Sequence, residues 1–331
     1  IKGGNKLEGT VRISGSKNAS LPIIAATILN KGTTTLYNVP NIQDTQMMYE
    51  IIKLLGGKVR HKARVYYHVF GSSGEELIQG CKEAKARGFK AVGHLTPFVD
   101  SDRREVMKME SFATKISNAA ERVYQYRETI GNEVDLCIEI HRQLNVPEAI
   151  ALGREIEKAR PMFYEDPVRP DNFDDMQRVA SEIHIPIATG ERLHTLEEFG
   201  MLLARNACQY IRPDVCLCGG ITQAKKIAAA AEARGVLVVP HNPLSPVSTA
   251  ACIQLAASIP NFAIQEYPLG EDCAPKNEIV KSTLTLDNGY LTVPDSPGIG
   301  IELNEQAMHQ YPYKPRLYVT KLREDGSVVD Q

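Results

Sequence analysis

Six apolar runs between Val134 and Glu266 each end in an acid or a histidine, and a helical segment follows. The runs are VDLCIEIH (134–141), PMFYEDP (161–167), IPIATGE (185–191), QYIRPDV (209–215), VLVVPH (236–241) and FAIQE (262–266). Glu139 with His141, Glu165, Glu191, Asp214, His241 and Glu266 close them, at intervals of 23 to 27 residues. A beat that regular marks a repeated supersecondary unit. Apolar strands alternating with helical patterns predict βα units around a parallel sheet. RVYYHVF (64–70) and KAVGHL (90–95) bring the strand count to eight, the number in a TIM-type (β/α) barrel.

In such a barrel the C-terminal ends of all strands meet at one face, where catalysis takes place. The closing residues would therefore share one pocket. Carboxylates gathered there repel one another and stay ionised only beside a cation. Hard oxygen donors favour Mg²⁺ or Mn²⁺ over zinc. His141 and His241 would flank that ion, each able to act as an acid or a base. Asp214, one strand before His241, is placed to hold its imidazole in one tautomer.

These residues carry a resemblance. From about Arg64 to Glu302 the chain resembles the enolase superfamily in its mandelate racemase-like branch, among the sugar-acid dehydratases that act on gluconate or galactonate. The motifs are DLCIEIHRQL, RPMFYEDPVRPDN, IPIATGERLHT, IRPDVCLCGGIT, VVPHNPLSPV and FAIQEYPLG. The resemblance implies Mg²⁺ on Glu139, Glu165 and Glu191. It also implies a His241–Asp214 dyad as general base, His141 as general acid, and Glu266 near the developing enolate. Relatives often carry Asp at the first metal position, where this chain has Glu139. KAVGHL lacks the lysine pair that some relatives use as a second base. His94 stands near that position, either touching substrate or only packing, and Arg142 is a further candidate substrate contact. The expected partner is a small sugar acid converted to a 2-keto-3-deoxy acid, and the expected assembly is a homo-oligomer.

Residues 1–62 have another character. KLEGTVRIS and TTTLYNVP alternate like strands, while SKNASLPIIAATILNKG and NIQDTQMMYEIIKLLGG read as helices, the first capped by Ser16. The motifs LEGTVRISGSKNASLPIIAA and NVPNIQDTQMM resemble the start of UDP-N-acetylglucosamine enolpyruvyl transferase. In that family the Ser-Lys-Asn at Ser16, Lys17 and Asn18 helps hold substrate and phosphate. The catalytic cysteine loop of such a transferase has no counterpart here, which argues against enolpyruvyl transfer. The chain thus reads as a mosaic: a small α+β unit (1–62), a barrel carrying the active site (63–270), and a tail (271–331). In the dehydratase family the barrel is preceded by a capping segment of its own, on which the tail packs. That segment is not found, so LTL (284–286) and LTV (291–293) are expected to keep an exposed edge. The alternative to an active dehydratase is a folded scaffold impaired because its pocket is not closed.

Composition narrows the class further. A formal net charge of −2 gives no electrostatic case for nucleic acid or membrane surfaces. No apolar run approaches the length of a membrane span. Seven scattered cysteines suit reduced thiols and a cytoplasmic setting better than a disulfide framework. No signal peptide is evident, and a start at Ile1 suggests a trimmed chain.

Overall fold

The computed structural model describes residues 16–29, 34, 36, 39–54, 60–98, 110–268, 270–315 and 322–328. The chain divides into two compact units, Ile1–Arg60 and His61–Gln331.

In the first unit, α1 (Lys17–Ala26) continues into a 3-10 turn, Thr27–Leu29, and packs on α2 (Gln43–Leu54). Ser16 caps α1, its hydroxyl accepting from Ala19 N at 3.4 Å. Fully buried Thr45 donates to Pro40 O at 2.6 Å and anchors the start of α2. The strand expected at 6–14 lies outside the described residues, as does most of the one at 33–40.

The second unit alternates strand and helix throughout: β1 (Lys62–His68), α3 (Gly74–Ala86), β2 (Ala91–Leu95), α4 (Phe112–Ile130), β3 (Asp135–Glu139), α5 (Val146–Ile156), β4 (Phe163–Glu165), α6 (Phe173–Glu182), β5 (Ile187–Thr189), α7 (Leu196–Ala204), β6 (Tyr210–Ile211), α8 (Gly220–Glu232), β7 (Leu237–Val238), α9 (Pro246–Ser258) and β8 (Gln265–Tyr267). Strands β1 to β7 pair in parallel in sequence order, and β8 pairs in parallel with β1. The circuit from β7 to β8 runs through a single parallel bridge, with Val238 N donating to Asn261 O and Ala263 N to Val238 O.

The helices start where the sequence supplies caps. Asn145 with Glu148 and Thr195 with Glu198 form reciprocal capping boxes on α5 and α7. Several strands are shorter than the apolar runs that hold them. Pro213 and Pro240 lack the N–H a ladder needs, so β6 and β7 keep two residues each. The first strand begins two residues earlier than RVYYHVF and ends at His68. Its early residues are recruited by an antiparallel hairpin, β9 (Leu286–Asp287) and β10 (Tyr290–Thr292), which pairs Ala63 with Leu291 and Arg64 with Tyr290. The edge expected to lie exposed in the tail is therefore taken up in part: β10 joins the barrel through β1, Leu291 is buried, and β9 is left as the outer edge. A short helix, α10 (Ala307–Gln310), follows in the tail. The helical expectation after KAVGHL is met by α4, while the excursion at 99–109 lies outside the described residues.

Two apolar layers hold the barrel. One lies between strands and helices and includes Val65, Val92, Leu136, Ile138, Tyr164 and Ile187. The other fills the interior with Tyr66, Ala91, Cys137, Phe163, Ala188, Val239 and Ile264. Large and small residues are matched there: a Cβ on Gly93 would lie 2.5 Å from the Tyr66 ring, so the tyrosine fits only because β2 offers a glycine. All seven cysteines are free thiols. Among the described residues, no helix is long and apolar enough to cross a membrane.

Candidate active site

Side chains alternate faces along a strand. Two residues beyond an interior residue, the chain again points inward, one layer nearer the C-terminal rim. Stepping up from Tyr66, Cys137, Phe163, Tyr210, Val239 and Ile264 gives His68, Glu139, Glu165, Arg212, His241 and Glu266. The apolar plug thus becomes the floor of a polar chamber, and all six residues are buried or nearly so.

Glu139, Glu165 and Glu191 each offer an oxygen, and the three atoms lie within 4.8 Å of one another. Burial pushes the Glu139 carboxyl well above its usual range, and the charges of Glu191 and Asp166 push it further. Burial does the same to Glu165, against the pull of Arg212. An all-oxygen donor set short of positive charge fits a hard divalent cation such as Mg²⁺, and these three residues could hold it.

Protein cations surround that trio unevenly. The Arg142 guanidinium, 2% exposed, donates to Glu191 Oε1 at 2.5 Å and to Asp166 Oδ2 at 3.0 Å. Arg212, 1% exposed, reaches Glu165 Oε1 at 2.7 Å, Glu266 Oε2 at 2.6 Å and the Tyr66 hydroxyl at 2.8 Å. Glu266 also accepts from Asn242 N at 2.6 Å and is paired with His68 Nε2. Burial would raise Glu266, but Arg212, His68 and His241 more than offset it, and its carboxyl lies well below the ordinary range. Glu191 is likewise brought down against burial by His241 and Arg142.

His241 stands between two acids, with Nδ1 2.9 Å from Asp214 Oδ2 and Nε2 3.3 Å from Glu191 Oε2. Burial lowers its basicity, but the Asp214 hydrogen bond and the neighbouring carboxylates leave it raised. Asp214 is itself fixed by Cys216 N, which donates to Oδ1 at 2.7 Å. His141 is half-buried at the rim, and Arg142 Nη2 lies 2.9 Å from its Nε2. A guanidinium can only donate, so that nitrogen accepts. His94 lies in a stack of rings, 4.4 Å from His68 and 4.5 Å from Phe70 between centroids. Backbone strain collects at the same rim: His94, His141, Arg142 and Asp166 have φ of 56°, 55°, 66° and 39°. Such left-handed non-glycine residues cluster at functional sites.

The structure therefore brings Glu139, Glu165, Glu191, Asp214, His241 and Glu266 into one chamber with Arg142, and places His141 beside it. Sequence reasoning missed Arg212, His68, Asp166 and Asn242. The two-residue step above the interior layer marks the first two; Asp166 and Asn242 follow directly on Glu165 and His241. A cavity of about 1110 Å³ meets the chamber at Arg142 and is lined further by Phe98, Lys115, Arg122, Asn145, Arg169 and Arg323; none of the three clustered glutamates lines it.

Residues 81–307 match the profile of the enolase C-terminal domain-like family, and residues 1–99 match that of EPSP synthase (3-phosphoshikimate 1-carboxyvinyltransferase). The D-galactonate dehydratase of Verminephrobacter eiseniae is 33% identical over 260 residues, covering 77% of this chain and 66% of that protein. That of Xanthomonas euvesicatoria pv. vesicatoria is 30% identical over 287 residues, 85% of this chain and 73% of that protein. Among solved structures, an enolase from Agrobacterium radiobacter, bound to Na and L-malate and proposed to be a galactarate dehydratase, is similar with a TM-score of 0.74. Its sequence is 31% identical, and the match covers 84% of this chain and 73% of that one. This chain spans 66% of the length of the first of these relatives.

Proposed function

The chain belongs to the enolase superfamily, and from that premise we propose that it dehydrates a sugar acid, an aldonate such as galactonate or gluconate, to a 2-keto-3-deoxy acid with the help of Mg²⁺. One observation carries the proposal: three carboxylate oxygens within 4.8 Å of one another, with His241 hydrogen-bonded to Asp214 beside them. The curated D-galactonate dehydratases that match the barrel support the substrate class, and so does a structural neighbour that holds a 2-hydroxy acid.

A proton α to a carboxylate is very weakly acidic, so its removal needs help from both sides. Glu139, Glu165 and Glu191 would hold the divalent ion. When bound, that ion would draw charge from the substrate carboxylate and ease loss of the C2 proton. Asp214 accepts the Nδ1 proton of His241 and so turns Nε2 towards Glu191 and the carboxylate cluster, where it would act as base at C2 once a bound cation takes up the Glu191 charge. Arg142, by donating to His141 Nε2, keeps that ring's proton on Nδ1, from which it would pass to the departing C3 hydroxyl. Glu266 stays ionised among its three donors and so only accepts. It would bind a substrate hydroxyl rather than stabilise a negative oxygen directly.

The test is turnover of gluconate, galactonate and mannonate with Mg²⁺, read as 2-keto acid formed. His241→Asn should lower the rate by ~10²–10⁴ and abolish exchange of the C2 proton with solvent. Exchange that survives this substitution would show that another group is the base. Metal binding without turnover of any sugar acid would favour the impaired scaffold.

A further inference from the structure

A second polar chain runs behind Glu266, and the mechanism above does not use it. It begins at Asn242, the residue after the proposed base. The Asn242 main-chain N–H donates to Glu266 Oε2 at 2.6 Å. Its side-chain amide donates to Thr249 Oγ1 at 2.6 Å and to Glu266 O at 3.3 Å. The Thr249 hydroxyl passes the chain on, donating to Glu271 Oε1 at 2.5 Å. On its other side, Asn242 Oδ1 accepts from Ser248 Oγ at 2.5 Å. Ser248 is in turn held by the backbone of Ser245 at the cap of α9. Asn242, Thr249, Glu271 and Ser248 are all buried, between 1% and 5% exposed.

Burying four polar residues to make hydrogen bonds that belong to no ladder adds little net stability compared with apolar side chains of the same size. What such a chain does supply is a fixed direction. Every donor in it points the same way: Asn242 to Thr249, and Thr249 to Glu271. Asn242 cannot rotate without breaking its three side-chain bonds, so its N–H is held on the Glu266 carboxylate. That leaves Arg212 and His68 as the other constraints on Glu266.

We infer that Glu271, Thr249 and Asn242 form a positioning relay that fixes Glu266, and with it the chain at His241, for the dehydration step, an inference that rests on the dehydratase reading. Burial pushes the Glu271 carboxyl up to about 7. Protonated or not, it keeps an oxygen to accept from Thr249, so the relay holds across neutral pH. The three are positioning residues: none touches the proposed metal ligands.

Two full-length variants test this, each compared with the parent chain in the presence of Mg²⁺. Thr249→Val removes the hydroxyl at nearly constant volume. Glu271→Leu breaks the outer link from the other side, so a folding failure in one leaves the other readable. Each should lower kcat on galactonate by roughly 10–100-fold, the usual cost of losing an orienting partner, with KM little changed. Thr249→Ser should recover most of the rate. A merely structural role would not confine the loss to kcat with KM and the unfolding midpoint unchanged; a second readout, the amide proton resonance of Asn242 in labelled protein, reports whether the link to Glu266 is altered. In Thr249→Val it should shift upfield and lose exchange protection, and in Thr249→Ser it should return. Parental kcat in both broken variants, or an Asn242 amide that does not move, overturns the relay. Should the parent chain turn over no sugar acid, the dehydratase reading fails while the Asn242 amide still decides the relay.

Discussion

Glu165 and Glu266 are both buried on the barrel interior, and both hold Arg212, yet one carboxyl is pushed well up and the other well down. The difference lies in their other neighbours. Glu266, on the β8–β1 side, is also met by His68 and the Asn242 N–H. Glu165, on the β3–β5 side, faces Glu139 and Glu191, which add negative charge. The same guanidinium therefore completes one site and leaves the other short. A chain that buries acids can satisfy them itself, as at Glu266, or leave charge for a ligand to supply, as at Glu139 and Glu165.

Removing the shared cation should break the comparison most severely. Arg212→Met strands Glu165 and Glu266 together, and breaking a buried pair costs about 3–5 kcal/mol. Urea unfolding should show a midpoint lowered to match. A loss of under ~1 kcal/mol, the worth of an exposed pair, would mean that water already reaches these carboxylates.

Next in size is the effect of the metal, and here pH separates the two sides. Glu139 and Glu165 have raised pKa values in the folded chain, so the fold binds more protons there than the unfolded chain does. The stability linked to them is present below the unfolded carboxylate range and is lost as pH rises towards the folded values. Glu266 is lowered, so its contribution is present above the unfolded range and is lost as pH falls through its folded value. Metal-free protein should therefore become more stable at high pH on Glu139→Gln and less stable on Glu266→Gln. Mg²⁺ at ~100 times its Kd at pH 8 should add about 2.7 kcal/mol there, and the same concentration should add less at pH 5, where protons compete for the carboxylates. Two Gln variants that shift the unfolding midpoint in the same direction at pH 8 would erase the distinction between the two sides.

The repeating interval made the barrel legible in the sequence, because each βα unit ends on a polar residue that water or a ligand must meet. It also drew attention to Glu139, Glu165 and Glu191. What it hid is the cationic half of the chamber. Arg212 lies two residues before Asp214, and a search for terminal acids and histidines passes over it. His68 was obscured because the first apolar run continues through Val69 and Phe70, although the ladder stops at His68. The pairing of β10 with β1 depends on contacts more than 200 residues apart, which no local pattern announces. Asn242, Thr249 and Glu271 look like ordinary loop and helix residues until the fold brings them behind Glu266.

The smallest effect is expected at the other end of β3. Asp135 opens this strand and Glu139 closes it, on the same element and four residues apart. Asp135 is paired with Arg64 at 2.8 Å, with side chains 45% and 28% exposed, and Arg64 also reaches Lys90 O. Water shares that charge, so Asp135→Asn should cost no more than ~1 kcal/mol, fading as salt is raised. The effect should not respond to Mg²⁺, since among the described residues the clustered carboxylates lie at the other end of β3. A Mg²⁺-dependent loss at Asp135 would mean that the charge deficit at the rim is carried along the strand, and that the contrast between Glu165 and Glu266 reflects the whole barrel rather than their immediate neighbours.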